Sequence, residues 1–224
     1  MKKALVIADS GGSKTDWCLK EDGGEVIRFS TESYHPKLFT SAWIEDKKTF
    51  WEQYTSHYEL EVTFYGSGCV NTSQQEVVKR AFRVWGIEHV RVFSDVLGAA
   101  HACSIFNNGF IGILGTGSVL AAIKQGDIHE LYGGFGPVLG DEGSGYYFGV
   151  LLLKGYLNKS FSQETMAEIE HQIGVKSRVL ETVYSNHGKV FIASLSSVFS
   201  SSTNIELQRL HQQNLRVFLD NYLP

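Results

Sequence analysis

Twelve of the 23 glycines in this chain lie between Gly109 and Gly149, and six of them fall in one run, Gly133-Gly134-Phe135-Gly136-Pro137-Val138-Leu139-Gly140-Asp141-Glu142-Gly143-Ser144-Gly145. Glycine loses more backbone freedom on folding than any other residue, so such a density is costly unless the backbone needs conformations or close approaches that a side chain forbids. A surface linker can be as rich in glycine, but it seldom carries Phe135, Val138 and Leu139 beside two acids. A loop with this content usually serves a ligand.

Upstream of the run, hydrophobic periodicity predicts strands at Ala4–Ala8, Asp16–Lys20 and near Glu25–Ser30. Ala4–Ala8 is continuously apolar, as expected of a strand buried on both faces. Aromatic and apolar residues recur every three or four positions from Leu38 to Tyr58, which predicts one helix. A strand at Glu61–Tyr65 follows, then a helix at Ser73–Trp85 with Ser73 as cap and Glu76 completing a capping box. A strand at Val90–Phe93 and a small-residue helix at Val96–Ile105 complete a β-β-β-α-β-α-β-α series.

After Asn107-Asn108-Gly109 the strands restart at Phe110–Leu114, Ser118–Lys124 and Ile128–Tyr132. Helices are expected at Tyr146–Leu157, Gln163–Ile173, about Ser177–Ser185 and Glu206–Tyr222, with a loop at Ser200–Thr203. A β-β-β opening that occurs twice, each time with a glycine turn after its first strand, suggests duplicated architecture. The expected domains are 1–105 and 106–224.

The 224 residues carry a net charge of −4, with no basic run longer than a pair, which argues against nucleic acid or a polybasic membrane surface as partner. No apolar stretch reaches the length of a bilayer span. The apolar run after Met1-Lys2-Lys3 stops at Asp9, too soon for a signal peptide. Cys18, Cys69 and Cys103 are odd in number and widely spaced, which fits reduced thiols in a cytoplasm. The eight histidines show no HxxxH or HExxH spacing, and Trp17, Trp43, Trp51 and Trp85 read as core.

Three further motifs stand beside the glycine run. In Asp9-Ser10-Gly11-Gly12-Ser13-Lys14-Thr15 a strand delivers an acid at its carboxyl end, and a glycine pair lets backbone N–H groups approach a ligand. Backbone amides cradle phosphate in this way while a carboxylate organises Mg²⁺ through water. The P-loop pattern GxxxxGK[ST] is absent. Gly115-Thr116-Gly117-Ser118 occupies the equivalent place in the second half. Alone, either string also suits a plain hairpin whose glycines supply positive φ. As a pair they could grip a polyphosphate from two sides. The third motif is Ser94-Asp95, where Asp95 is either a helix N-cap or a base that accepts a proton from an attacking hydroxyl.

In this order and spacing the four pieces resemble the N-acetylglucosamine kinase and BadF/BadG-type ATPase group of the actin, Hsp70 and sugar-kinase superfamily. Gly133–Gly145 is similar to the group's GG-[WF]-G…GDEGS signature. The resemblance implies an α/β fold of two ribonuclease-H-like, actin-like ATPase halves with a cleft between them. It also implies ATP and Mg²⁺ as cofactors and transfer of phosphate to the 6-hydroxyl of an amino-sugar, N-acetylglucosamine by preference.

Position by position, the resemblance makes Asp9, Gly11, Gly12, Ser13, Lys14 and Thr15 the first phosphate motif, with Asp9 holding Mg²⁺ through water. Gly115, Thr116, Gly117 and Ser118 become the second phosphate motif, and Asp95 the general base. His35, Asp95, Thr116, Gly134, Phe135 and Asp141 would face the sugar. Gly66-Ser67-Gly68-Cys69 resembles a GAGC-like turn to which no role attaches. Two departures are local: His35 stands where the group often has Asn, and Phe135 replaces Trp, keeping an apolar wall without an indole donor. A larger one is at the end. Chains of the group continue past a helix like Glu206–Tyr222 into a further strand, a glycine-rich adenosine-binding turn and a closing helix. Here no glycine follows Gly188, so the second half is expected to be cut short.

The expected partner is a small-molecule sugar, with room for a homodimer. The alternatives are an activator-type ATPase of the BadF group, which would need cysteines for an iron–sulfur cluster, or a non-catalytic sugar-binding remnant.

Overall fold

The strand β1 (Lys2–Ser10) organises the first half of the computed structural model, which describes residues 2–105 and 107–223. Met1, Phe106 and Pro224, which fall at limits of the two expected domains, lie outside the described residues. By its internal contacts the chain divides into Met1–Phe106 and Asn107–Pro224.

In the first unit β1 pairs antiparallel with β2 (Lys14–Glu21) and parallel with β4 (Tyr58–Gly66). β3 (Val26–Glu32) extends one edge and β5 (His89–Ser94) the other, giving the order β3-β2-β1-β4-β5. Three helices join them: α1 (Ser41–Thr55), α2 (Thr72–Val84) and α3 (Asp95–Ala102). The core lies between one sheet face and helices α1 and α2 and is unusually aromatic: Trp17, Trp51, Trp85, Tyr34, Phe64 and Phe82 are all buried in it. Trp51 stacks on Trp85 at 5.9 Å and meets Trp17 edge-on at 4.9 Å, geometries that suit the ring quadrupoles. The tryptophans are core residues, with Trp43 packed on the rim of the cluster.

Register places the functional ends side by side. Ser10 pairs with Gly66, and Gly66 with Ser94, so the parallel strands β1, β4 and β5 end together. Ligands of open α/β sheets collect at this carboxyl edge.

In the second unit β6 (Gly109–Leu114), β7 (Ser118–Lys124) and β8 (Asp127–Gly133) form an antiparallel meander, followed by α4 (Gly145–Leu157), α5 (Gln163–Ile173), α6 (Lys176–Val183), α7 (Gly188–Val198) and α8 (Ile205–Tyr222). Phe148, Leu152, Ile169, Val179, Leu195 and Leu207 bring the helices into one core. Among the described residues no helix is long and apolar enough to cross a membrane.

Several local expectations are corrected. β1 buries one face only: Ala4, Val6 and Ala8 point into the core, while Leu5 and Ile7 are more than half exposed. An apolar run does not distinguish one buried face from two. The single helix expected over 38–58 is a 3-10 turn, Pro36–Leu38, followed by α1, whose start is set by Thr40 accepting from the Trp43 N–H at 3.3 Å. Tyr58 already belongs to β4. The aromatic spacing ran across three elements because all of them point rings into the same core. Asn71, not Ser73, caps α2 by accepting from the Gln74 N–H, and Glu76 pairs with Lys79 instead of closing a capping box. Helix α7 was not expected at all. It explains glycines of α4, because a Cβ on Gly149 would come within 2.0 Å of the Ile192 carbonyl oxygen. The two helices cross with their backbones nearly in touch.

Candidate functional site

The carboxyl edge of the first sheet gathers the acids. Asp9 is the penultimate residue of β1 and is exposed, while its neighbour Ser10 points inward and is fully buried. That alternation is the period of two of a strand. Asp95 opens α3, but the helix is capped by Ser94, whose hydroxyl accepts from the Leu97 N–H at 3.2 Å. The cap role therefore falls one residue earlier than the sequence suggested. Asp95 keeps its carboxylate for other work, with Oδ1 accepting from the adjacent Val96 N–H at 3.0 Å.

Burial is the largest influence on Asp95 and pushes its carboxyl above the ordinary value. The Val96 N–H opposes the rise, the nearby Asp9 carboxylate adds to it, and the Ser67 hydroxyl weakly opposes it. A carboxylate raised in this way is a better proton acceptor than one in water.

Ser67 belongs to the Gly66–Cys69 turn for which the sequence offered no role. Its N–H donates to the Ser10 carbonyl at 2.7 Å, which ties the ends of β1 and β4 together. Gly68 sits at φ +81, and a Cβ there would lie 2.5 Å from His35 Nε2, so the imidazole rests directly on the turn. His35 Nδ1 accepts from the Lys37 N–H at 3.2 Å. Burial, helped by Lys37 and opposed by Asp95, lowers the His35 pKa. That shift favours the neutral ring, and with Nδ1 accepting, the proton of the neutral form sits on Nε2, the side toward the turn. Asp9, His35 and Ser67 all lie within electrostatic reach of Asp95. Cys69 is buried beside it, and its thiol is pushed up to about 12, mainly by burial and further by Asp95. The proximity of strand ends could have flagged Ser67 and Gly68, but only once the register was known.

The first glycine turn separates into two kinds of residue. Thr15 Oγ1 and Ser10 Oγ lie 2.8 Å apart, both buried, and both accept from the Tyr34 N–H at 3.0 and 3.1 Å. The Thr15 hydroxyl thus faces the core, contrary to its expected place among the phosphate ligands. Lys14 Nζ lies 2.7 Å from Asp16 in an exposed pair. Gly12 and Ser13 are exposed, and a Cβ on Gly12 would meet nothing within 4 Å. Neither Gly11 nor Gly12 has positive φ, and the same holds for Gly115 and Gly117. The hairpin reading, in which these glycines supply left-handed conformations, is corrected.

In the second unit the turn after β6 is built from a distance. Gly115 and Thr116 are exposed, and a Cβ on Gly115 would again meet open space. Ser118, expected to face phosphate, is buried instead. Its N–H donates to Asp141 Oδ1 at 3.3 Å and its hydroxyl to the Glu142 carbonyl at 2.6 Å. The Gly145 and Tyr146 N–H groups donate to the Gly115 and Thr116 carbonyls at 2.8 and 3.3 Å. The glycine-rich signature and the second glycine turn are thus one stitched object. Asp141 is buried at φ +66, an uncommon conformation for a residue with a side chain, and its carboxylate lies against Gly117. Gly134 lies at φ +72, against Val119. Phe135, Val138 and Leu139 are 66%, 89% and 78% exposed, an apolar rim on a polar loop.

The residues present fit a nucleotide with its cation. At Gly12 and at Gly115 the protein leaves open the space that a Cβ would fill, without needing glycine for its own backbone. Asp9 supplies a hard oxygen donor of the kind Mg²⁺ prefers, through water. Among the described residues no group of three or more His, Cys, Asp or Glu side chains could hold a metal directly.

No protein-family model matches this chain, and no curated protein matches it. Among solved structures, a protein from Porphyromonas gingivalis provisionally named an N-acetylglucosamine kinase superposes with a TM-score of 0.83 at 27% identity, over 98% of this chain and 80% of its own. A Chromobacterium violaceum protein under the same provisional name gives 0.68 at 18% identity, over 98% and 82%. MamK bound to AMPPNP gives 0.51 at 10% identity, over 93% and 83%, a likeness of fold alone. The α/β fold is that of the actin-like ATPases and sugar kinases. Within it, the solved structures like this chain include two proteins provisionally named N-acetylglucosamine kinases, in line with the group that the sequence resembles.

Proposed function

We propose that this chain is an ATP-dependent kinase that phosphorylates the 6-hydroxyl of an amino-sugar, with N-acetylglucosamine as its substrate. The observation that carries the reading is Asp95: half-buried, raised in pKa beside Asp9, and free of the capping duty that Ser94 performs. Phosphoryl transfer asks a protein mainly to position groups and neutralise charge. The open backbone at Gly12 and that at Gly115 would each take phosphate oxygens, and Asp9 would hold Mg²⁺ through water. When bound, Mg²⁺ supplies charge neutralisation at the phosphate oxygens.

Asp95 accepts the hydroxyl proton while the sugar oxygen bonds to the γ-phosphorus and the bond to the β,γ-bridging oxygen breaks. His35 offers Nε2–H to a sugar oxygen. Asp141 and Thr116 orient the ring, and Gly134 and Phe135 wall it. The activator-type alternative would require thiolate ligands, whereas burial holds the Cys69 thiol protonated at neutral pH. No observation favours a non-catalytic remnant.

The test is Asp95→Asn, assayed with ATP, Mg²⁺ and N-acetylglucosamine. Turnover is expected to fall by about 10² or more, with sugar binding by calorimetry nearly unchanged. A variant that keeps wild-type turnover removes Asp95 as base. The pH dependence has a definite sign. The base must be ionised, so wild-type kcat falls as pH drops through the raised Asp95 pKa, at a higher pH than for an ordinary carboxyl. Stability runs the other way. A raised pKa favours the protonated fold, and that contribution is lost as pH rises through it. Asp95→Asn at neutral pH is therefore expected to melt no lower than wild type.

A further inference from the structure

The signature loop is held by a residue 71 positions away. The Gly143 N–H donates to Asn214 Oδ1 at 2.8 Å, and Asn214 Nδ2 donates to the Ser144 carbonyl at 3.0 Å. Asn214 lies in α8 and is 3% exposed. On the inward stripe of α8, with Leu207 and Phe218 buried and His211 stacked on Phe148, an asparagine is costly to bury unless both ends of its amide are paired. Here both are, and both partners are backbone groups of the loop.

Neighbouring contacts act in the same direction. Gly143 sits at φ +84, and a Cβ there would be 2.6 Å from Phe218 Cβ. Tyr222, on the last turn of α8, donates its hydroxyl to Glu142 and lays its ring against Gly133, where a Cβ would be 3.0 Å away. Burial, with the Glu142 bond, pushes the Tyr222 hydroxyl up to about 12, so it stays a donor. Gly133 and Glu142–Ser144, on either side of the exposed Phe135–Leu139 rim, are thus fastened to one helix.

We infer that Asn214 is a positioning residue for the sugar site. By fixing Gly143 and Ser144 it holds Asp141 against the Gly115–Ser118 turn and sets the orientation of the loop toward the sugar. The inference rests on the kinase reading and adds to it the element that positions the loop.

Three variants test it, with N-acetylglucosamine, ATP and hydrogen exchange as probes. Asn214→Leu keeps the branching at Cγ, in a larger side chain, and removes both bonds. The KM for N-acetylglucosamine is expected to rise about tenfold or more with the KM for ATP changed less than about threefold, and the Gly143 amide is expected to lose exchange protection. Asn214→Asp discriminates further. Protonated, its carboxyl both accepts from Gly143 and donates to Ser144, as the amide does. Ionised, it repels the Ser144 carbonyl. Its sugar KM is therefore expected to approach wild type at low pH and to climb with pH, a profile that a merely structural defect would not give. Tyr222→Phe, which keeps the ring, guards against misfolding of the other two and is expected to raise sugar KM about two- to fivefold.

Wild-type sugar KM and undisturbed Gly143 exchange in Asn214→Leu would overturn the inference and leave the kinase reading intact. Equal losses toward sugar and ATP would overturn it too, by reducing Asn214 to a support of the whole unit. A wild-type chain that turns over no amino-sugar would overturn the kinase reading first, and this inference with it.

Discussion

Asp9–Thr15 and Gly115–Ser118 each follow the first strand of a unit, and each mixes glycines with hydroxyls, yet they are held in different ways. In the first, the hydroxyls of Ser10 and Thr15 meet the Tyr34 N–H, and Ser33 donates to the Gly11 carbonyl at 2.7 Å. All of the partners lie within one strand-hairpin segment. In the second, Ser118 meets Asp141 and Glu142, and the chain from Glu142 to Ser144 in turn meets Tyr222 and Asn214. One turn is supported locally and the other through a relay to the last helix. In both, what remains open to a ligand is backbone at Gly12 and at Gly115, and the buried hydroxyls are scaffold.

The relay can be broken most severely at Gly143. Gly143→Ala must place a side chain at φ +84 and within 2.6 Å of Phe218 Cβ. Positive φ costs about 1–2 kcal/mol for a non-glycine residue, and overpacking in a filled site adds about 1–3 kcal/mol. A loss of about 3 kcal/mol in urea unfolding is expected. A loss under about 1 kcal/mol would mean that α8 yields easily and the relay is soft.

The contrast between local and relayed support also decides what was legible in the sequence. Strand β1, its acid and the glycines after it lie within a dozen residues, so the pattern exposed them. The hydroxyl of Thr15 was misread because motif spelling does not say which side of a strand faces the core. The start of α3 was misread by one residue, since Ser94 and Asp95 are both good caps and only geometry chooses between them. The work of Asn214 was invisible: it looked like an interruption of an apolar stripe, and its partners sit far away in sequence. Helix α7 was missed with it, because its significance lies in the backbone it presents to Gly149. Chemistry at strand ends is local and readable. The supports of a long loop are tertiary and are not.

A milder perturbation sharpens the division between scaffold and site. Thr15→Val keeps the shape and removes one of two acceptors of the Tyr34 N–H. A loss of about 1 kcal/mol is expected, the usual worth of a buried hydrogen bond, with the KM for ATP unchanged. Thr116→Val, at the exposed counterpart, is expected to leave stability within about 0.5 kcal/mol of wild type. If Thr15→Val weakened nucleotide binding instead, its hydroxyl would belong to the site after all.

The smallest effect on folding should come from the residues most exposed to the ligand. Gly12 and Gly115 have φ that other residues adopt, and a Cβ on either meets nothing within 4 Å. Gly→Ala at such a place narrows the unfolded ensemble and adds about 0.4–1 kcal/mol of stability. Nothing in the protein's own packing therefore requires glycine at these two positions. If the open space belongs to phosphate, the added methyl holds oxygen away from the backbone N–H groups and affinity falls as stability rises. Gly12→Ala and Gly115→Ala are each expected to melt at or slightly above the wild-type temperature while the KM for ATP rises about five- to tenfold, a loss of about 1 kcal/mol of binding. Thermal melts beside ATP titrations read both quantities on one sample. Unchanged ATP affinity in both variants would leave the glycines without a ligand to explain them. A change in only one would show that the other turn, alike in sequence, does not take phosphate.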